Sequence, residues 1–145
     1  IIYNETLRDR VCAVSNKTHY NEMNVLSMHA LIGAYQPQGY EWVDELNEVL
    51  ATNIDYFCDY VDEHFEGVTY ARPQGTYMVF LDCTEWCRER GRDIQWLLDE
   101  GARVGVGYQD GRPFHGPCHI RVNLALPLSR VQEACERLDR YVFNA

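Results

Sequence analysis

The chain has 145 residues, a size that fits one domain. Its 13 Lys plus Arg stand against 22 Asp plus Glu, a formal net charge of −9. That balance argues against a general nucleic-acid or anionic-membrane binder, because phosphate wants a basic face.

Apolar residues make up 46% and aromatics 12%, enough for a core and too much for a disordered chain. No apolar run approaches the roughly 18 residues of a membrane helix, so a soluble chain is expected. The chain opens Ile1-Ile2-Tyr3, without an initiator Met or signal-peptide features, which leads us to expect a fragment of a longer protein. The basic residues are 12 Arg and one Lys, Lys17, so chemistry that needs a lysine has one candidate. The six cysteines are Cys12, Cys58, Cys83, Cys87, Cys118 and Cys135. Disulfide scaffolds are usually shorter and denser in Cys, and Cys58 and Cys135 fall inside helical patterns. Reduced thiols in a cytoplasm are therefore expected.

In chain order, 4–14 reads as a helix with Leu7, Val11 and Val14 on one face. Ser15 to Tyr20 reads as a loop, which would make Lys17 a solvent-exposed loop lysine. Asn21 to Tyr35 reads as a second helix, stopped by Gln36-Pro37-Gln38-Gly39. Tyr40 to Phe65 carries Trp42, Leu46, Val49, Leu50, Ile54, Phe57, Val61 and Phe65, which step mostly by three or four and predict a long amphipathic helix. Gly67 is its expected stop. Val68 to Ala71 and Tyr77 to Asp82 read as strands. Asp93 to Glu100 reads as a helix ended by Gly101, Arg103 to Val106 as a strand, and Gly107 to Pro117 as a loop. His119 to Ala125 alternates, with Ile120, Val122 and Leu124 on one face and Arg121 and Asn123 on the other. Pro127 opens the last helix, whose stripe is Val131, Ala134, Cys135, Leu138 and Val142. Helices followed by strands interleaved with helices predict an α+β fold: a small, mostly antiparallel sheet covered by helices.

Several chemical constellations can be weighed. Cys83, Cys87, His115, Cys118 and His119 have residue types that suit zinc, but adjacent Cys118-His119 ligate one ion poorly, and no metal is expected. A hydrolase elbow, a phosphate loop and a dinucleotide fingerprint are absent. Arg121 lies on the polar side of its strand beside a Gly-rich loop. By spacing alone it reads as a surface arginine paired with an acid. A guanidinium also matches a planar carboxylate with two parallel charge-assisted hydrogen bonds, a fork that lysine lacks.

Four stretches together carry a family resemblance. They are Ala34-Tyr35-Gln36 with Glu41-Trp42-Val43-Asp44-Glu45-Leu46; Arg72-Pro73-Gln74-Gly75-Thr76-Tyr77 running into Met78-Val79-Phe80-Leu81-Asp82; Asp110-Gly111-Arg112-Pro113-Phe114; and His119-Ile120-Arg121-Val122-Asn123-Leu124-Ala125-Leu126-Pro127. The chain resembles the C-terminal small domain of fold-type I pyridoxal-phosphate enzymes, in the class I/II aminotransferases, cystathionine β-lyase (C–S lyase) branch. The resemblance implies a single domain in which 1–39 are helices at the junction with a missing large domain and 40–145 form the small-domain core. It implies pyridoxal 5′-phosphate as cofactor of the full-length protein, not bound to this piece, with the Schiff-base lysine upstream. Ile1-Ile2-Tyr3-Asn4 is similar to the segment that follows that lysine, so no catalytic residue is expected here and Lys17 is not the Schiff-base lysine. It implies that Arg121 binds the α-carboxylate of an amino-acid substrate, with Phe114 and Asn123 as possible site-lining residues. It further implies a homodimer when full length, and a β-lyase that forms pyruvate, ammonia and a thiol. An aminotransferase is the alternative within the family, and a non-catalytic α+β binding module the alternative outside it.

Overall fold

The computed structural model describes residues 2–19 and 22–145, and the chain divides into two compact units, Ile1–Asp44 and Glu45–Ala145. In the first unit, α1 spans Glu5–Thr18 and is capped by Asn4, whose side-chain oxygen accepts from the Leu7 N–H at 2.9 Å. The helix does not end at Val14 as expected. It runs one more turn, and the Thr18 hydroxyl donates back to the Val14 carbonyl at 3.1 Å. Lys17 is thus exposed but sits in the last turn of a helix, where a cation suits the dipole, and not in a loop. Part of the expected Ser15 to Tyr20 loop, and the expected start of the next helix at Asn21, lie outside the described residues.

Helix α2 spans Val25–Ala34, with Asn24 accepting from the Ser27 N–H at 2.9 Å. None of its residues is buried, although it is almost wholly apolar. Helix α3 spans Pro37–His64, so only Tyr35 and Gln36 separate it from α2. The expected four-residue break is mostly helix because Pro37 needs no N–H partner in a first turn. Gly39 makes the tight junction possible: a Cβ there would lie 2.0 Å from the Ala34 carbonyl oxygen.

In the second unit, Phe57, Cys58 and Val61 of α3 and then Phe65 are buried, and Gly67 reverses the chain at φ +81°. Strands β1 (Thr69–Tyr70), β2 (Met78–Asp82), β3 (Gln109–Asp110) and β4 (His119–Asn123) form one antiparallel sheet in the order β1-β2-β4-β3. Helices α4 (Thr84–Arg90), α5 (Ile94–Arg103) and α6 (Leu128–Leu138) complete the unit, and a π turn, Asp139–Phe143, follows α6. This is the expected α+β class, with three local differences. Helix α4 was not legible, because seven residues with only Trp86 and Cys87 buried give no period. Helix α5 runs through Gly101, which is buried because the Tyr108 ring packs on it, 2.5 Å from where a Cβ would stand. The expected strand over Arg103 to Val106 is the end of α5 and a turn at Gly105, φ +77°, and the edge strand forms later, at β3.

Alternation along the two central strands sorts the sheet into unlike faces. Val79, Leu81, Ile120 and Val122 join one core with Trp86, Leu97, Val131, Leu138 and Phe143. The other face carries Met78, Phe80 and Asp82 beside Asn123, Arg121 and His119. One buried polar residue ties the core to the end of β4: Asn53 of α3 donates from its amide nitrogen to the carbonyls of Leu124 and Leu126, both at 2.8 Å.

Candidate functional site

The candidate site is built on the sheet face that the core leaves free. Register places Arg121 between Phe80 of β2 and Gln109 of β3. The loop after β3 then folds across this face. Asp110 accepts from the Arg112 backbone N–H at 2.9 Å and from its guanidinium at 2.7 Å, which holds a 3-10 turn at Arg112–Phe114. Two glycines allow the close approach. A Cβ on Gly111 would lie 2.4 Å from the His119 carbonyl oxygen, and one on Gly116 2.5 Å from the Phe80 ring. His115 between them takes a left-handed φ of +63°.

This folding brings the Phe114 ring to 4.3 Å from the Arg121 guanidinium carbon. Arg121 is unlike the other arginines: eleven of the twelve are exposed, and it alone is half-buried. Its Nε is buried without a hydrogen-bond partner, and among the described residues no carboxylate lies within 4.0 Å of it. A buried guanidinium N–H without an acceptor is unfavourable, so this face favours a group that brings one.

Phe114 and Arg121 are therefore brought together on this face. Asn123 shares their face but is exposed, and its side-chain oxygen already accepts from the Ala125 N–H at 2.8 Å. It shapes the end of β4 and has that oxygen engaged. Lys17 belongs to the first unit. Sequence reasoning missed Phe80 and His119 as the floor of the site. Their ring centroids lie 4.6 Å apart with the planes tilted by 34°, and His119 Nε2 stands 3.7 Å from Asp82 Oδ2. Burial pushes the Asp82 carboxyl up, but hydrogen bonds from Thr84 and the neighbouring His119 outweigh it and leave the group below its ordinary range. Alternation alone put His119 and Arg121 on one side; the β2 register that adds Phe80 has no signal within β4.

A cleft of about 370 Å³ lies on the core side of β4, where Val122, Leu124, Val131 and Leu138 line it; it includes neither Arg121 nor Phe114. Cys83, Cys87 and Cys118 meet at the far end of the central strands, where the Cys83 N–H donates to the Cys118 carbonyl at 2.9 Å. Among the described residues no group of three or more His, Cys, Asp or Glu is arranged for a metal ion. Burial raises the Cys83 thiol and pushes those of Cys87 and Cys135 up to about 12. Iodoacetamide at pH 8 should therefore label exposed Cys12 first and spare Cys58, Cys83 and Cys135 until denaturant is added; peptide mass mapping reads this out.

A sequence model of the aminotransferase class I and II family matches residues 1–138. The chain belongs to that family. Among curated members, a candidate cystathionine beta-lyase of Mycobacterium leprae is 34% identical over 122 residues, 73% of this chain and 29% of that protein. The aspartate aminotransferase of Geobacillus stearothermophilus is 25% identical over 143 residues, 93% of this chain and 35% of that protein. The chain thus spans about a third of the length of the relatives it matches. Among solved structures, the C–S lyase of Staphylococcus hominis, crystallised with pyridoxal phosphate, superposes with a TM-score of 0.80 at 23% identity over 99% of this chain and 37% of that one. Cystalysin of Treponema denticola, which also contains pyridoxal 5′-phosphate, gives 0.79 at 24% over 98% and 36%. The class I and II fold read from the sequence is therefore the fold of this chain.

Proposed function

We propose that the chain is the C-terminal, substrate-carboxylate-binding part of a pyridoxal-phosphate enzyme acting on amino acids, and that the enzyme is a carbon–sulfur β-lyase. The observation that carries this reading is Arg121, half-buried under Phe114 with an Nε that has no partner. An amino acid supplies what it lacks: a planar carboxylate that accepts two parallel N–H bonds. The loop from Asp110 to Gly116 holds Phe114 above the guanidinium, so the fork is oriented before substrate arrives.

The residues present do not fit the cofactor itself. The one lysine, Lys17, is exposed at a helix end, and no described acid pairs with it. The cofactor and its chemistry belong to upstream residues of a longer chain, and this piece alone is inactive. Helix α2 supports the same view: Leu26 is 83% exposed and Val25 65%, an apolar surface that a further domain would cover. In the longer protein, a homodimer in the cytoplasm, Arg121 holds the α-carboxylate while a β-thioether such as cystathionine is cleaved with water to pyruvate, ammonia and a thiol. The aminotransferase reading is kept because the Geobacillus enzyme aligns with 93% of the chain.

The test uses the longer protein, purified and mixed with L-cystathionine. Pyruvate formed without an added keto acid is the expected result. Amino transfer that requires a keto acid, without pyruvate, would replace the lyase by an aminotransferase. Neither activity, with no cofactor bound, would leave a non-catalytic module.

A further inference from the structure

Outside the candidate site, two tryptophans and two arginines converge on one small cleft. Trp86 of α4 and Trp96 of α5 stack with ring centroids 5.8 Å apart. The Arg90 guanidinium carbon lies 5.8 Å from the Trp86 ring and that of Arg92 4.6 Å from the Trp96 ring. Gly91 arranges this. Its left-handed φ of +60° ends α4, and the Arg92 N–H donates back to the Cys87 carbonyl at 2.9 Å. Arg90 and Arg92 thereby leave the turn on either side of Gly91 and line the same cleft of about 230 Å³ together with Val142 and Ala145.

These arginines have no acid of their own. Neither has a carboxylate within 4.0 Å among the described residues, although Arg88 beside them pairs with Glu85. The adjacent Asp93 is engaged as the cap of α5, accepting from the Trp96 N–H at 2.8 Å. The indole of Trp86 donates to the Phe143 carbonyl at 3.2 Å, so that donor is occupied too. What the cleft offers is two guanidinium forks, held in place by π faces and free to donate, in a chain whose net charge is −9.

We propose that this cleft is a binding site for a phosphate dianion. Two guanidinium groups match two negative charges and several acceptor oxygens, which one carboxylate does not provide. The volume admits a phosphate group with room beside it. The phosphate is either free or the head of a monoester whose organic part lies along half-exposed Trp96.

The indole N–H resonances of the full chain test this, in proton–nitrogen spectra with inorganic phosphate or phenyl phosphate added at constant ionic strength. The Trp86 and Trp96 signals should shift saturably while that of Trp42 stays, an internal control in a chain with three tryptophans. Half-saturation should rise at least about tenfold in Arg92→Gln and in Arg90→Gln, and stay within twofold in Arg140→Gln, whose guanidinium lies over Tyr141 instead. Tighter binding of phenyl phosphate would assign a monoester, and equal binding free phosphate. The proposal is overturned if chloride at the same ionic strength gives the same shifts, or if the two variants bind as the unchanged chain does.

Discussion

Arg121→Ala in the longer protein should lower kcat/KM for an amino-acid substrate about 30- to 5,000-fold without loss of fold. The size follows from removing one partner of a desolvated, hydrogen-bonded charge pair, about 2–5 kcal/mol. Steady-state kinetics and thermal melts of the same preparations check it. The fold is unaffected because Arg121 contributes little to it. Its guanidinium has no ion-pair partner among the described residues, and its buried Nε is unsatisfied. Truncation removes an unfavourable group from the free protein and a favourable one from the complex. Arg121→Lys should not restore the rate, since an ammonium cannot present two parallel donors. A large drop in Tm with unchanged kcat/KM would instead make Arg121 a structural residue.

The parts of the fold legible in the sequence are those whose period repeats often enough to be counted. Helix α3 repeats its apolar stripe from Ile54 to Val61 and beyond, and α6 carries Val131, Cys135 and Leu138. Strand β4 alternates cleanly because one of its faces is core and the other is not. The illegible parts are decided by contacts distant in sequence. Gly101 looks like a helix stop, yet Tyr108 folds back onto it and requires the missing side chain within the helix. Gly105 looks like part of a strand, yet it supplies the positive φ that turns the chain. The site divides in the same way. Alternation put Arg121 on the polar side, and the family resemblance gave it a role. Phe114 reaches it only because Gly111 and Gly116 let the loop lie against His119 and Phe80, a fit that no local pattern records.

Asn53 shows the same principle in the core, and its replacement should cost substantial stability. Asn53→Ala is expected to destabilise the chain by about 2–4 kcal/mol, read as a lower denaturant midpoint at unchanged slope. A polar residue within an apolar helix face looks like an exposed position, yet Asn53 is fully buried. Its two N–H groups hold the carbonyls of Leu124 and Leu126, where β4 ends and the chain turns toward Pro127 and α6. No other hydrogen bond between side chain and backbone described for α3 reaches that turn, so alanine leaves the part-buried Leu126 carbonyl without that donor, leaves the Leu124 carbonyl with the Leu126 N–H alone, and opens a cavity beside them. Asn53→Asp keeps the volume and removes both donors. At neutral pH it sets a buried carboxylate against two carbonyl oxygens, so its loss should exceed that of alanine. The folded-state pKa of the new acid would be raised by burial and by those carbonyls. A group raised in this way binds more protons folded than unfolded, so the variant should regain stability as pH falls through that raised value. Asn53→Ala has no such proton to take up and should show no such recovery. The contrast separates a lost hydrogen bond from lost packing, because only the first depends on which atoms face Leu124 and Leu126.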